Sequence, residues 1–319
     1  ISAGNEGRVN AWTASLRMFA STWQEDQPVL TLGFLPDNQG LVTGGGDRFF
    51  LKPGGYLHIW DTAGMTLRQR LDAQEKTVTS LAIAPRAKRI ATAGSDRSIR
   101  LWDAVTGREE QRWEAHAGYI WSVAFSPDET QLASAGGDKR VKIWDARTGV
   151  LAKTLEGHRG TVQQVVFDQA GRQLASSGWD KAVMVWSVPD GRETLRLDNL
   201  PLASPCVAFA GDGRFLIAAA SETTLAAWEL PSWKRHTEFK GHTARISAAC
   251  LSPDGKTLAS ADQKGTILLW DPRMGQPRAT LDGHTAAVTA LQFSSDSRLL
   301  ASADETGNVK IWESAKHRE

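Results

Sequence analysis

Ser134, His116 and Asp138 have the residue types of a nucleophile, a base and an orienting acid, and so do Ser176, His158 and Asp180. Their spacing argues against that chemistry. His116, His158, His242 and His284 each lie 28 residues before a tryptophan, and Ser134, Ser176, Ser260 and Ser302 lie ten before it. A catalytic group is needed once, whereas a structural group returns with its repeat. No Gly-x-Ser-x-Gly elbow accompanies these serines. Their chemistry is therefore hydrogen bonding inside a repeated unit. Metal chemistry has no better support. There are 2 cysteines, Cys206 and Cys250, which excludes a disulfide framework and a multi-cysteine metal site. They read as buried free thiols. His58, His236 and His317 have no paired ligands at metal spacing, so no metal or other cofactor is expected.

The elements that must position these residues are set by tryptophan. Of 13 in the chain, Trp60, Trp102, Trp144, Trp186, Trp228, Trp270 and Trp312 are each 42 apart, and Trp12 precedes Trp60 by 48. Each ends a short β-prone run such as Val141-Lys142-Ile143-Trp144. Other segments repeat in phase: an alternating strand, a Ser-Pro-Asp turn at 126–128 and 252–254, and a small-residue strand such as Leu132-Ala133-Ser134-Ala135. A turn with Asp47, Asp96, Asp138 or Asp180 then precedes the Trp strand. Short strands broken by Gly, Pro and Asp, with no helical period, predict an all-β protein. With 41% hydrophobic and 23% charged residues the chain is globular. Lys and Arg number 37 against 36 Asp and Glu, so bulk charge gives no case for nucleic acid, and no apolar run approaches a membrane span.

Four strands per unit of 42 residues, each unit ending on Trp and often Asp, resembles the WD-repeat β-propeller family, in wording close to its bacterial members. The resemblance covers residues 13–312. It implies a seven-bladed propeller with four antiparallel strands per blade, and within each blade a hydrogen-bonded tetrad of His, Ser or Thr, Asp and Trp. Two repeats keep all four members at family spacing: His116, Ser134, Asp138, Trp144 and His158, Ser176, Asp180, Trp186. Lys264 and Thr306 occupy the Asp slot in the last two repeats. Glu25, Gln74 and Leu200 stand where the first, second and fifth have His, and Ala218 replaces the fifth Ser. Those blades are expected to be looser. Asp138→Ala is expected to destabilise by about 1–3 kcal/mol by leaving a buried donor unpaired; thermal melting checks this, and an unchanged curve would refute it.

Residues 14–20 are expected to pair with the last blade and close the ring, leaving 313–319 as a tail. Residues 1–12 mimic the middle strands of a further blade, and the chain opens without Met. This points to a remnant of a preceding repeat, with eight blades or a double propeller as the alternative.

The resemblance places partner contacts on the top face, at the start of each inner strand and in the turns between second and third strands. Tyr119 and Trp121 stand out there, with Trp179 on the next blade; Gln163 holds the equivalent of Trp121 in that blade. A single insertion, around Phe49-Phe50-Leu51-Lys52-Pro53-Gly54-Gly55, lengthens a turn on the same face. These aromatics have the composition of an interface hot spot, or else pack on one another. Arg48, Arg97, Lys139, Lys181 and Arg245 offer charge to an acidic or phosphorylated peptide, or are simply solvated. The mouth positions Leu30, Thr79, Trp121, Gln163, Pro205, Ser247 and Thr289 contain no general acid or base. The expected function is a non-catalytic scaffold or recognition module binding a protein or peptide, by default cytoplasmic, within a larger protein or complex. A sensor fused to an effector enzyme, a nucleic-acid binder and a propeller enzyme are the alternatives.

Overall fold

The computed structural model describes residues 21–47, 49–86, 88–200, 206–210 and 213–313, and the backbone strands Ser2–Ala3 and Val9–Asn10. It is a seven-bladed β-propeller. Each blade is a sheet of four antiparallel strands in chain order, beginning with inner strands such as Ile120–Phe125 in blade 3 and Val162–Phe167 in blade 4. The last blade takes its fourth strand from the start of the ring: Ser21–Gln24 lies against Asn308–Glu313, with Ser21 opposite Ile311 and Gln24 opposite Asn308. Residues 14–20, where the closing strand is expected, lie outside the described residues. Ser2–Ala3 and Val9–Asn10 form a separate two-stranded sheet. They contribute no strand to the seven blade sheets, so the eight-bladed alternative does not hold.

The core is divided among the seams. Ile143 of blade 3 packs with Val165, Phe167 and Trp186 of blade 4, and Leu101 of blade 2 packs with Val123 and Trp144 of blade 3. Val309 and Ile311 pack with Val29 and Leu41, so the same contact joins blade 7 to blade 1. Second strands are covered on both faces, which is why they are small: Ala133, Ser134 and Ala135 are fully buried. A buried indole removes ~150–250 Å² from water. At about 25 cal/mol/Å² this contributes roughly 4–6 kcal/mol as an upper bound. No blade can bury its faces alone, so the tryptophan period and the ring are one requirement.

The inner strands carry a shared irregularity. Ile120 pairs with Gly136 but Ser122 pairs with Ala135, leaving Trp121 as an extra residue. The same β-bulge sets out Leu30, Thr79, Gln163, Ser247 and Thr289. A bulge re-aims its side chain, here onto the wall of the central channel. Three of these residues also clasp neighbouring blades: the hydroxyls of Thr79, Ser247 and Thr289 donate to the carbonyls of Ile120, Val288 and Val29.

Candidate functional site

Beneath the top face runs a polar spine. In blade 3, Trp144 Nε1 donates to Ser134 Oγ at 2.8 Å, Ser134 Oγ lies 2.7 Å from His116 Nε2, and His116 Nδ1 lies 2.8 Å from Asp138. Each donor is used once if the indole gives to the hydroxyl, the hydroxyl to Nε2, and a neutral Nδ1–H imidazole to the carboxylate. Blade 4 repeats this with Trp186, Ser176, His158 and Asp180.

Blades 6 and 7 complete the chain differently from the spacing expectation. Lys264 and Thr306 do hold the Asp slot, but the acid comes from two residues earlier: His242 Nδ1 meets Asp262 at 3.0 Å and His284 Nδ1 meets Asp304 at 2.7 Å. The reason is steric. In blades 3 and 4 the residue eight before Trp is Gly136 or Gly178. A Cβ on Gly136 would fall 2.5 Å from His116 Nδ1 and 2.9 Å from Asp138 Oδ1. Glycine leaves that space to the later carboxylate, whereas Asp262 and Asp304 place their own there. Four blades, not two, therefore hold a complete chain.

Blade 1 is not short of partners either. Glu25 is buried and accepts from Thr43 Oγ1 at 2.5 Å and Trp60 Nε1 at 2.9 Å, with His58 Nδ1 at 2.8 Å. In blade 2, Gln74 Nε2 and Trp102 Nε1 both donate to Thr92 Oγ1. Blade 5, with Leu200 and Ala218, leaves Trp228 Nε1 buried without a partner among the described residues.

Burial works to raise the Asp304 carboxyl, but His284, Thr306 and Asn308 overcome it and hold it at about 2. Asp138 and Asp180 also lie below the usual 3.8, their burial outweighed by hydrogen bonds from His116 and His158 and from backbone amides. Burial lowers His242 below 6.5 against the opposing pull of Asp262. All these shifts have the same sign for stability: the unfolded chain binds protons more readily than the fold. Denaturant midpoints should be flat above about pH 6.5, decline as His242 is forced to charge, and fall faster below about pH 4 as the carboxylates titrate. A midpoint that is constant down to pH 3 (about one unit below the ordinary Asp value) would refute this.

Above the spine lies the channel mouth, a cavity of about 630 Å³. The bulges bring Leu30, Thr79, Trp121, Gln163, Ser247 and Thr289 onto its wall. The insertion of blade 1 reaches across blade 2 to blade 3. Phe50 meets Tyr119 at 5.5 Å with the rings tilted by 53°, and meets Trp121 edge-on at 5.8 Å; Trp121 meets Trp179 at 6.0 Å. Phe50, Tyr119, Trp121 and Trp179 thus form one row over three blades. Phe49 points away and is 73% exposed, and Trp179 is 54% exposed.

Asp47 holds the insertion: the amides of Phe49, Leu51 and Lys52 donate to it at 3.2, 2.7 and 2.8 Å. The Lys52 amide leads in keeping its carboxyl below the usual range. Phe50 takes a left-handed φ of 59°, fixed within this turn.

Gln163 joins Trp121 on the cavity wall, and its Oε1 is buried without a partner among the described residues. Arg245 is exposed on blade 6, away from the aromatic row. Arg97 faces Glu114 at 3.6 Å, whereas Lys139 and Lys181 beside the row have no ion pair among the described residues. Arg48 lies outside the described residues. The sequence reading missed Glu305 and Gln263, which also line the mouth. They sit in turns, and Glu305 gives the mouth a carboxylate that the aligned strand positions do not supply. Cys206 and Cys250 form no disulfide, and burial raises both thiols, Cys206 to about 12. No group of three or more metal-ligating side chains occurs among the described residues, and no helix is long and apolar enough to cross a membrane.

Seven four-stranded blades, four of them holding a complete indole–hydroxyl–imidazole–carboxylate chain, define a WD-repeat β-propeller. The chain belongs to that family: the family model described as IFT122 first beta-propeller matches residues 119–319, and that described as WD domain, G-beta repeat, matches residues 65–103. No curated protein matches it. Propellers of this kind generally act as protein-interaction scaffolds and are typically non-catalytic.

Proposed function

We propose that this propeller is a recognition module that binds an acidic peptide segment of a protein partner across its top face, as part of a larger protein or complex. The observation that carries this is the row Phe50–Tyr119–Trp121–Trp179, which offers partly exposed aromatic surface on a rigid rim. Rigid aromatics lose little freedom on binding, so contact area converts to affinity with a small ordering cost. Phe49 supplies an apolar contact at the tip of a turn already ordered by Asp47. Lys139 and Lys181 flank the row and favour carboxylates or a phosphate beside the anchoring side chain. Gln163 fixes polar contacts inside the mouth, and Arg245 lengthens the track toward blade 6. Nucleic acid fits less well, because the chain as a whole carries a net charge of only +1. Two cysteines that form no disulfide are in keeping with a reducing, cytoplasmic setting.

Selection from a random peptide display library on the purified protein tests this. The expected consensus is a large apolar residue flanked by Asp or Glu, with binding that weakens as salt rises. Consensus peptides recovered equally well by the Trp121→Ala/Trp179→Ala variant would refute the site, and salt-insensitive binding would refute the charge preference.

A further inference from the structure

A second concavity lies far from the mouth, on the seam between blades 5 and 6, with a volume of about 720 Å³. Its origin is legible in the repeat. The residue before the structural Trp is Ile59, Leu101, Ile143, Val185, Leu269 or Ile311 in six blades, and each fills the seam to the next blade. In blade 5 it is Ala227. Three carbons or so are missing from the floor, where Ile217 and Ala227 are buried.

The walls are as particular as the floor. At the start of the second strand, where the two preceding blades have Gln131 and Gln173, blade 5 has Phe215. Its ring lies 4.8 Å from that of His236, tilted by 34°, so the two rings pack on one another as one aromatic wall. Around the rim, Arg214 lies over Phe215 and pairs with Glu229 at 2.9 Å, so those charges cancel locally. Asp254 is turned into its own loop by Ser252 Oγ at 2.6 Å and the Lys256 amide at 3.0 Å. Arg273 is exposed and has no ion pair among the described residues. Its loop is tied to blade 5 where Thr237 Oγ1 donates to the Arg273 carbonyl at 3.3 Å.

We propose that this cleft is a binding site for a small planar aromatic anion such as an aryl carboxylate. The ring would lie against Phe215 and His236 over the gap left by Ala227, with its carboxylate on Arg273. The volume suits such a ligand, since small-molecule sites occupy ~300–1,000 Å³. An apolar floor with a few polar groups at the rim is the usual division of labour there. Guanidinium–carboxylate pairing supplies the sign of charge selected.

The test uses 2-naphthoate and the neutral 2-naphthalenemethanol, titrated calorimetrically into the whole chain, with NMR shifts of the Ile217 methyls reporting position. Saturable naphthoate binding is expected, about tenfold tighter than that of the alcohol. Ala227→Ile restores the aliphatic of the other blades and should raise the melting temperature while removing binding of both probes. Ala227→Val, a smaller filling, serves the same purpose if isoleucine does not fit. Arg273→Ala should equalise the two probes. Trp121→Ala should leave naphthoate binding unchanged, which separates this cleft from the top-face row. No saturable binding, equal binding by the Ala227 variants, or loss of binding in Trp121→Ala would each overturn the proposal.

Discussion

Asp304→Ala should destabilise the propeller by about 3–5 kcal/mol, while Thr306→Ala, at the slot that family spacing assigns to the acid, should cost about 1 kcal/mol or less. Asp304 is fully buried. One oxygen accepts from His284 Nδ1 at 2.7 Å and Asn308 Nδ2 at 3.1 Å; the other accepts from the Thr306 and Asn308 amides, both at 3.0 Å, and from Thr306 Oγ1 at 2.7 Å. Removing it strands an imidazole N–H and two backbone N–H groups together. A buried donor left alone costs more than a formed bond contributes. Thr306→Ala removes one hydroxyl from an exposed turn and leaves the carboxylate its other partners. The blade affected is the one that closes the ring, so the loss should appear as a lower midpoint of the main unfolding transition in denaturant. Blade 3 offers the converse. Asp138→Lys should destabilise, and adding Gly136→Asp should restore part of the loss by converting blade 3 to the arrangement of blades 6 and 7. A Thr306→Ala cost exceeding that of Asp304→Ala would refute the assignment.

That contrast also marks how far the residues alone could be read. The 42-residue tryptophan period was legible because every blade must bury the same wedge against the same neighbour, and such a demand leaves an identical residue at an identical place. The acid of the spine was less legible because the demand falls on a point in space beside His Nδ1, and two backbone positions reach it. The signal lay in the paired identities Gly136/Asp138 and Gly178/Asp180 against Asp262/Lys264 and Asp304/Thr306. Reading one slot at a time hid it. Glu25 was legible as a departure from His, but its role was not: its carboxylate takes the place of the imidazole and recruits His58 from the third strand. At the mouth, Trp121 and Trp179 were legible as tryptophans out of phase. Their junction with Phe50 was not, because an insertion has no counterpart in other blades from which its path could be aligned. The Ala227 gap was legible as a broken column of aliphatics; its aromatic wall required the third dimension.

Trp121→Ala should weaken binding of a selected acidic peptide by about 30-fold or more, equivalent to at least ~2 kcal/mol, with little change in the melting temperature. Trp121 is the middle of the row, touching Phe50 on one side and Trp179 on the other, and it forms part of the cavity wall. Central, desolvated aromatics hold most of the energy of an interface, and rim residues hold less. Trp179→Ala, more exposed, should therefore cost less. The double variant should cost less than the sum, because each ring supports the other. The small effect on folding follows from the bulge. Trp121 is the extra residue of its strand, so truncation leaves the pairs Ile120–Gly136 and Ser122–Ala135 in place, and Asp47 continues to hold the neighbouring turn. Trp113 gives the opposite pattern. It lies in the outer strand Glu109–Glu114, 5.8 Å from the structural Trp144. Trp113→Ala should lower the melting temperature and spare peptide affinity. If Trp113→Ala weakens the peptide as much as Trp121→Ala, or if Trp121→Ala unfolds the ring, the off-phase tryptophans of the mouth belong to the scaffold and not to recognition.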